Sequence, residues 1–304
     1  MDAIGTVLVA MLGGALRVST PFLFVSLGEC LTERAGRINL GNEGVMVLGA
    51  MVAYATSYET GSPWLGVLMA ALAGLLLGGM HGAICGLAKV NDVAMGIAIM
   101  LAGTGIAFFF GKPYVQPSAT LLPAIPFGFW SSSPQLKNAL AVSPLFILGI
   151  ATAFAMAWMF RATRLGLRVR IVGESEDAAR ALGLPVERTR LLATAAGSAL
   201  AGIGGAFLSL VYPASWNEGL SSGQGLMAVA LVVFARWNPA HCITAALLFG
   251  AAGALGPSLQ TVGITWGYYL FYAAPYVVTL AILIATVRPG RTLRGMPGEL
   301  SIGR

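Results

Sequence analysis

The sequence predicts an all-α polytopic membrane protein, a single transmembrane domain over residues 1–304 with about ten transmembrane or membrane-embedded helices. Three observations carry that expectation. Hydrophobic residues make up 57% of the chain and charged residues only 10%, with a mean hydropathy of +0.80, whereas soluble domains carry roughly 25% charged residues. The apolar residues fall in repeated runs near the roughly 20 residues that a helix needs to cross a bilayer. Lys and Arg gather between those runs, as they do in loops on the cytoplasmic side of a membrane.

The runs follow one another along the chain. Ala3 to Leu16 lies between Asp2 and Arg17, a charge order opposite to that of a secretory signal, so it reads as a retained helix. Thr20 to Leu31 and Ile38 to Tyr58 are short or spotted with polar residues. Trp64 to Ala88, Val93 to Gly111, Ser143 to Phe160, Leu191 to Tyr212 and Tyr268 to Val287 are uninterrupted, and Leu220 to Ala235 and Cys242 to Gly256 complete the set. Gly74, Gly78, Gly82 and Gly86 recur every fourth residue and so lie along one helix face. Such a stripe lets a neighbouring helix approach closely, and "GSALAGIGGA", Gly197 to Ala206, reads the same way. Substrate contact along the stripe is the competing reading.

Basic residues orient the runs. Arg161, Arg164, Arg168, Arg170, Arg180, Arg188 and Arg190 mark 161–190 as a cytoplasmic loop, and Arg288, Arg291, Arg294 and Arg304 mark 288–304 as a cytoplasmic tail. Counting spans from these puts Arg34, Arg37, Lys89 and Arg236 on the same side, leaves Arg17, Lys112 and Lys137 outside, and brings both termini inside. The net charge of +6 then expresses topology rather than nucleic-acid binding, and a basic tail also suits contact with anionic membrane lipid. Gly111 to Val142, rich in Pro and Ser, is the large external loop.

Chemistry is sparse. Cys30, Cys85 and Cys242 are far apart and form neither a disulfide framework nor a metal spacing; they read as small buried hydrophobes. His81 and His241 have no partner motif, and no phosphate loop or nucleophile signature appears. The chain is expected to hold no catalytic residue and no metal, and any ATP-driven step belongs to another chain.

Two stretches are out of keeping with an apolar chain. In "ERAGRINLGNEG", Glu33, Arg34, Arg37, Asn39, Asn42 and Glu43 stand between two apolar runs, where a charge at the bilayer centre costs roughly 2.5 to 3.5 kcal/mol. With Gly36, Gly41 and Gly44, this reads either as a broken helix bordering a polar path or as a cytoplasmic turn anchored by Glu33 to Arg37 at i, i+4. The second is "GESEDAARALGLP". Ser175 to Leu182 is a short helix with an acidic start at Glu176 and Asp177, stopped by Gly183 and Pro185. It is too short to be stable alone, so it docks on something unless it is an ordinary solvated loop.

The order Asp177, Ala178, Ala179, three residues, Gly183 resembles the EAA-xxx-G loop of ABC importer permeases, with Asp in place of Glu. "LTERAGRINLGNEGVMVLGA" (Leu31 to Ala50), "TRLGLRVRIVGESEDAARALGLPVERTR" (Thr163 to Arg190) and "GQGLMAVALVVFARWNP" (Gly223 to Pro239) look like the permeases of nucleoside and simple-sugar ABC importers, in register from about Pro21 to Arg288. The ERAG-x-IN-x-G-x-EG form points to the nucleoside branch, and the length resembles the smaller of that branch's two permeases.

The resemblance implies an ABC importer permease architecture in a bacterial-type inner membrane. It also implies a coupling helix at Glu176, Asp177, Ala178, Ala179 and Gly183, a cytoplasmic ATPase that uses ATP and magnesium, a second, longer permease, and an extracytoplasmic binding protein. No cofactor is expected on this chain. Asn39, Asn42, Glu43, Asn91, Trp216, Ser221 and Gln224 are the candidates for the substrate path, where amides, hydroxyls and an aromatic face would meet a nucleobase and ribose; a water-boundary loop is the alternative for Trp216 to Gln224. Glu33, Arg34, Gly36 and Arg37 are the structural motif. Gln224 departs from the Arg that many relatives carry between the two glycines, which keeps a simple sugar or another heterocycle open. A stand-alone proton- or sodium-coupled transporter, using Glu29 and Glu43, is the rival from another class.

Overall fold

A computed structural model describes residues 3–263, 271, 273–286 and 295–301. Asp2, the tail arginines Arg288, Arg291, Arg294 and Arg304, and residues 268–270, 272 and 287 of the last expected span lie outside the described residues. The described chain is nearly all helix: α1 (Ala3–Arg34), α2 (Asn42–Thr60), α3 (Pro63–Cys85), α4 (Asp92–Gly111), α5 (Pro134–Ala139), α6 (Pro144–Ala162), α7 (Arg164–Glu174), α8 (Glu176–Ala181), α9 (Val186–Leu210), α10 (Gln224–Phe234), α11 (Pro239–Gln260), α12 (Ala274–Thr286) and α13 (Gly298–Ser301). A two-residue ribbon, Ile125–Pro126 antiparallel to Ala141–Val142, closes the long loop. Among the described residues six helices are long and apolar enough to cross a membrane: α1 from Val7, α3, α4, α6, α9 and α11.

Two expectations change. The first two expected segments are one helix, because the polar Arg17–Val–Ser–Thr stretch between them satisfies itself. Ser19 and Thr20 donate their hydroxyls back to the Leu16 carbonyl at 3.1 and 2.9 Å, and Arg17 reaches the Asn138 carbonyl. The expected span Leu220 to Ala235 contains only an 11-residue helix, α10, roughly 17 Å long at 1.5 Å per residue and too short to cross. Two contacts fix which ends of the described chain lie near which helices. The first half of α1 packs beside Ala139 of the long loop, with Gly13 against it, while Glu299 near the other chain end packs against Gly36 at the far end of α1.

The bundle therefore has a loop end, carrying 111–142, and an arginine-rich end, where Arg34, Arg37, Arg180, Arg190 and Arg236 gather around α7, α8 and residues 295–301. Helix α9 runs between them as the hub, packed on α1, α2 and α3. The glycine stripe is its seat: a Cβ on Gly74 would strike the Ser198 carbonyl, on Gly78 the Ser198 side chain, and on Gly82 the Leu191 backbone at 2.9 Å. Gly86 departs from the stripe, since it caps α3 and faces the Glu187 carboxylate. On the opposite face of α9, Gly197 and Gly28 of α1 exclude each other's Cβ in the same way. The packing reading of the stripe is thereby given its partner.

Replacing Gly78 by Leu overpacks α3 against α9 and should cost about 1–3 kcal/mol or more, lowering the thermal midpoint of the permease in detergent. Gly105→Ala is the control. Nothing lies within 4 Å of a Cβ there, and the midpoint should stay or rise slightly.

Candidate substrate pathway and coupling surface

The chain leaves α1 at Arg34, turns through Gly36 in the left-handed region (φ +84) and re-enters helix at Asn42. Residues 35–41 form no helix yet are largely buried, so their backbone groups need partners. The N–H groups of Ala35, Gly36 and Arg37 turn back to the Thr32 and Glu33 carbonyls, and Glu29, fully buried on α1, accepts the Asn39 N–H at 2.8 Å and the Asn42 carboxamide at 2.7 Å. The Asn39 carboxamide oxygen accepts the Gly41 N–H at 2.9 Å, and its nitrogen donates to Asn42 and, at 2.9 Å, to the Ser198 hydroxyl of α9.

A second break meets the first. Gly223 in the left-handed region (φ +80) starts α10, and the carboxylate of Glu43, in the first turn of α2, caps it. One oxygen accepts the Ser221 hydroxyl at 2.5 Å and the Gly223 N–H at 3.0 Å; the other accepts the Gly225 N–H at 2.6 Å. An acid at a helix N-terminus answers the unpaired N–H groups and the positive end of the dipole. Gly225 has to be glycine here, because a Cβ would fall on the Glu43 backbone.

Gln224, between those glycines, lines a cavity of about 550 Å³ with Arg17, Phe22, Tyr212, Met227 and Pro257. Its carboxamide oxygen is buried without a partner among the described residues.

The structure thus places Asn39 and Asn42 in one cluster with Glu29 and Ser198, and Glu43 and Ser221 in a second that adjoins it in the chain, with Gln224 beside the second. It does not bring Asn91 and Trp216 to either. Asn91 caps α4 by accepting the N–H groups of Val93 and Ala94, and Trp216 is buried with its indole N–H on the Gly111 carbonyl. Ser198 carries no signal in the sequence that would have placed it in the first cluster. Glu29 had one, as a carboxylate within an apolar run.

Around the structural motif, Glu33 and Arg37 do not pair. The helix ends at Arg34, so residue 37 is not one turn beyond residue 33 on a shared face. Glu33 instead accepts the indole N–H of Trp237, Arg34 donates to the Trp237 carbonyl at 2.8 Å, and Arg37 joins Asp92 at 2.6 Å and Glu187 at 3.0 Å.

Helix α8 sits at the arginine-rich end on a clamp. Arg190, buried on α9, donates to Glu176 at 2.7 Å, to Glu299 at 3.3 Å and to the Ala35 carbonyl at 3.2 Å. Burial would raise the Glu176 carboxyl, but hydrogen bonds from Arg180 and Arg190 outweigh it and hold the carboxyl below the usual range. Ala179 is the inward residue, packed on Val172 and Val186; the outward face is Asp177, Ala178, Ala181 and Leu182. Gly183 ends the helix with φ +71 and open space where a Cβ would be.

A multi-pass bundle with two interior helix breaks held by carboxylates, and a short clamped helix presented at its basic end, is the form of a membrane transport subunit. The family model described as "Branched-chain amino acid transport system / permease component" matches residues 11–287, and the chain belongs to this permease family. A permease protein of Haloferax volcanii, provisionally assigned to a glucose ABC transporter, is 33% identical over 95% of each chain. A nucleoside ABC transporter permease protein of Lactococcus lactis is 27% identical over 93% of each. A guanosine ABC transporter permease protein of Bacillus subtilis is 29% identical over 87% of this chain and 88% of its own. Each of these relatives is named as an ABC transporter permease.

Glu43→Ala should strand the Gly223 and Gly225 N–H groups, at about 1–3 kcal/mol for each buried donor left unpaired. Faster hydrogen exchange at 223–225 with a lower thermal midpoint is the expected result; unchanged exchange would mean that α10 is capped by other means. A nitroxide on Ala178→Cys reads the clamp. The depressed Glu176 carboxyl stabilises α8 above its unfolded value of about 4.3, so mobility should rise only as pH falls below that, through the folded value.

Proposed function

We propose that the chain is the membrane permease subunit of an ATP-driven importer for nucleosides or a related small polar solute, in a bacterial-type inner membrane. One observation carries this reading: α8 is fixed on its inner face by Arg190 and Ala179 and bare on its outer face. A helix so held transmits force from a docked partner to α9. That partner is a cytoplasmic ATPase, which binds ATP and magnesium, with Glu176, Asp177, Ala178, Ala179 and Gly183 as the coupling element. The outward position of Ala178 and Leu182 makes these, rather than Ala179, the docking contacts.

In this reading the arginine-rich end, with 161–190 and the tail, faces the cytoplasm. The loop end and the start of α1 face outside, and α2, α10 and α12 lie within the bilayer with the six longer helices. A second, longer permease forms the other half of the pathway, and an extracytoplasmic binding protein delivers the solute. Gln224 contributes the uncommitted polar group of the path. Asn39, Asn42, Glu43 and Ser221 keep the broken backbone in position beside it, and Asn91 and Trp216 support neighbouring elements. The chain carries out no bond chemistry.

A simple sugar is the second reading for the solute, favoured by the relative assigned to glucose transport and by the neutral Gln224. A proton- or sodium-coupled transporter is disfavoured, since Glu29 and Glu43 are occupied in capping backbone.

Uptake by cells expressing the intact transporter, against a panel of nucleosides and sugars, should show ATP-dependent import of one class; import that survives ATP depletion but collapses with the ion gradient would overturn the assignment. Ala178→Arg should reduce ATPase recovery with the permease on the order of tenfold, as for a central interface contact, leaving the fold intact. Single cysteines at Ser175 and Ser132 should react with an impermeant reagent from opposite sides. Labelling from one side would refute the orientation.

A further inference from the structure

Helix α7 begins one residue after the membrane-crossing α6, where Thr163 accepts the Gly166 N–H at 3.1 Å. The outer surface of α6 is apolar as far as its last turn, with Phe154 60% and Trp158 65% exposed, as suits contact with hydrocarbon and a tryptophan near its boundary. Helix α7 buries Gly166, Val169, Val172 and Gly173 inward. Its other face carries Leu167, half exposed, and Ile171 one turn on, flanked by the exposed Arg164, Arg168 and Arg170.

A cleft of about 300 Å³ opens on this face, lined by Arg34, Leu167, Arg170, Ile171, Glu174 and Pro297. Among the described residues, neither Arg34 nor Arg170 has an ion-pair partner, so the cleft is net positive even with Glu174 on its wall. Apolar side chains beside guanidiniums that no carboxylate neutralises are the composition of a helix lying in the headgroup layer, where the apolar side chains meet acyl methylenes and the arginines reach phosphate.

We propose that α7 is an interfacial helix and that the cleft between Arg34 and Arg170 binds the phosphate of an anionic phospholipid. Leu167 and Ile171 lie against the upper acyl chain, and Arg164 and Arg168 meet neighbouring headgroups. The continuity of the leucines with the lipid-facing side of α6, together with the charge complementarity, selects lipid over an acidic protein surface as the occupant. The inference depends on the multi-pass fold and not on which solute is carried.

The test uses the full-length permease in detergent, with equal phosphatidylglycerol and phosphatidylcholine. Native mass spectrometry should find phosphatidylglycerol retained in preference, and the thermal midpoint should rise with that lipid alone. In Arg164→Gln/Arg168→Gln/Arg170→Gln, retention should fall on the order of fivefold for each arginine removed. Equal retention of the two lipids by the unaltered protein would overturn the proposal without reference to any variant. So would a triple variant that elutes as a folded monodisperse species, keeps the lipid preference and loses ATPase association, since the face would then belong to a protein partner.

Discussion

Backbone N–H groups released by a helix break inside an apolar bundle have to find acceptors, and here Glu29 and Glu43 supply them. Glu29 holds the returning strand at Asn39 and Asn42, and Glu43 caps α10 through Gly223 and Gly225. Irregular backbone in an apolar bundle is tolerated where protein or a cavity surrounds it: the first break is covered by α9 through Ser198, and the second borders the cavity at Gln224. Two non-helical stretches coexist with a long-helix bundle because two carboxylates answer them.

This arrangement accounts for the density of polar residues in ERAGRINLGNEG. Each has a separate use: Glu33 and Arg34 fix the Trp237 turn after α10, Arg37 joins α4 and α9, and Asn39, Asn42 and Glu43 manage backbone. Asn42 and Glu43, side by side, tie the segment to α1 and to the start of α10.

Much of this could be read from the sequence. The glycines of α3 and the glycine-rich stretch of α9 were legible as packing faces because period and small size are local properties: the α3 stripe meets α9 at Ser198 and Gly202, and the other α9 glycines seat α1 and α2. The end of α8 at Gly183 was legible for the same reason. The continuity of α1 was not, because Arg17, Ser19 and Thr20 look like a loop until their hydrogen bonds to Leu16 and Asn138 are visible. Nor was the division of labour among the path candidates: whether an Asn caps, bridges or faces a cavity depends on residues as much as 159 positions away, as with Asn39 and Ser198. The pairing of Glu33 with Arg37 failed because i, i+4 geometry presupposes a helix that had already ended.

Only the four residues Leu182 to Pro185 separate α8 from α9, and α9 touches its neighbours backbone to backbone at Gly74, Gly197 and Gly205. Contacts of that kind contain no rotatable side chains to soak up a displacement, so the joint has almost no play. If α8 takes the push proposed for it, the motion passes to α1, α2 and α3 as through a stiff rod rather than a spring.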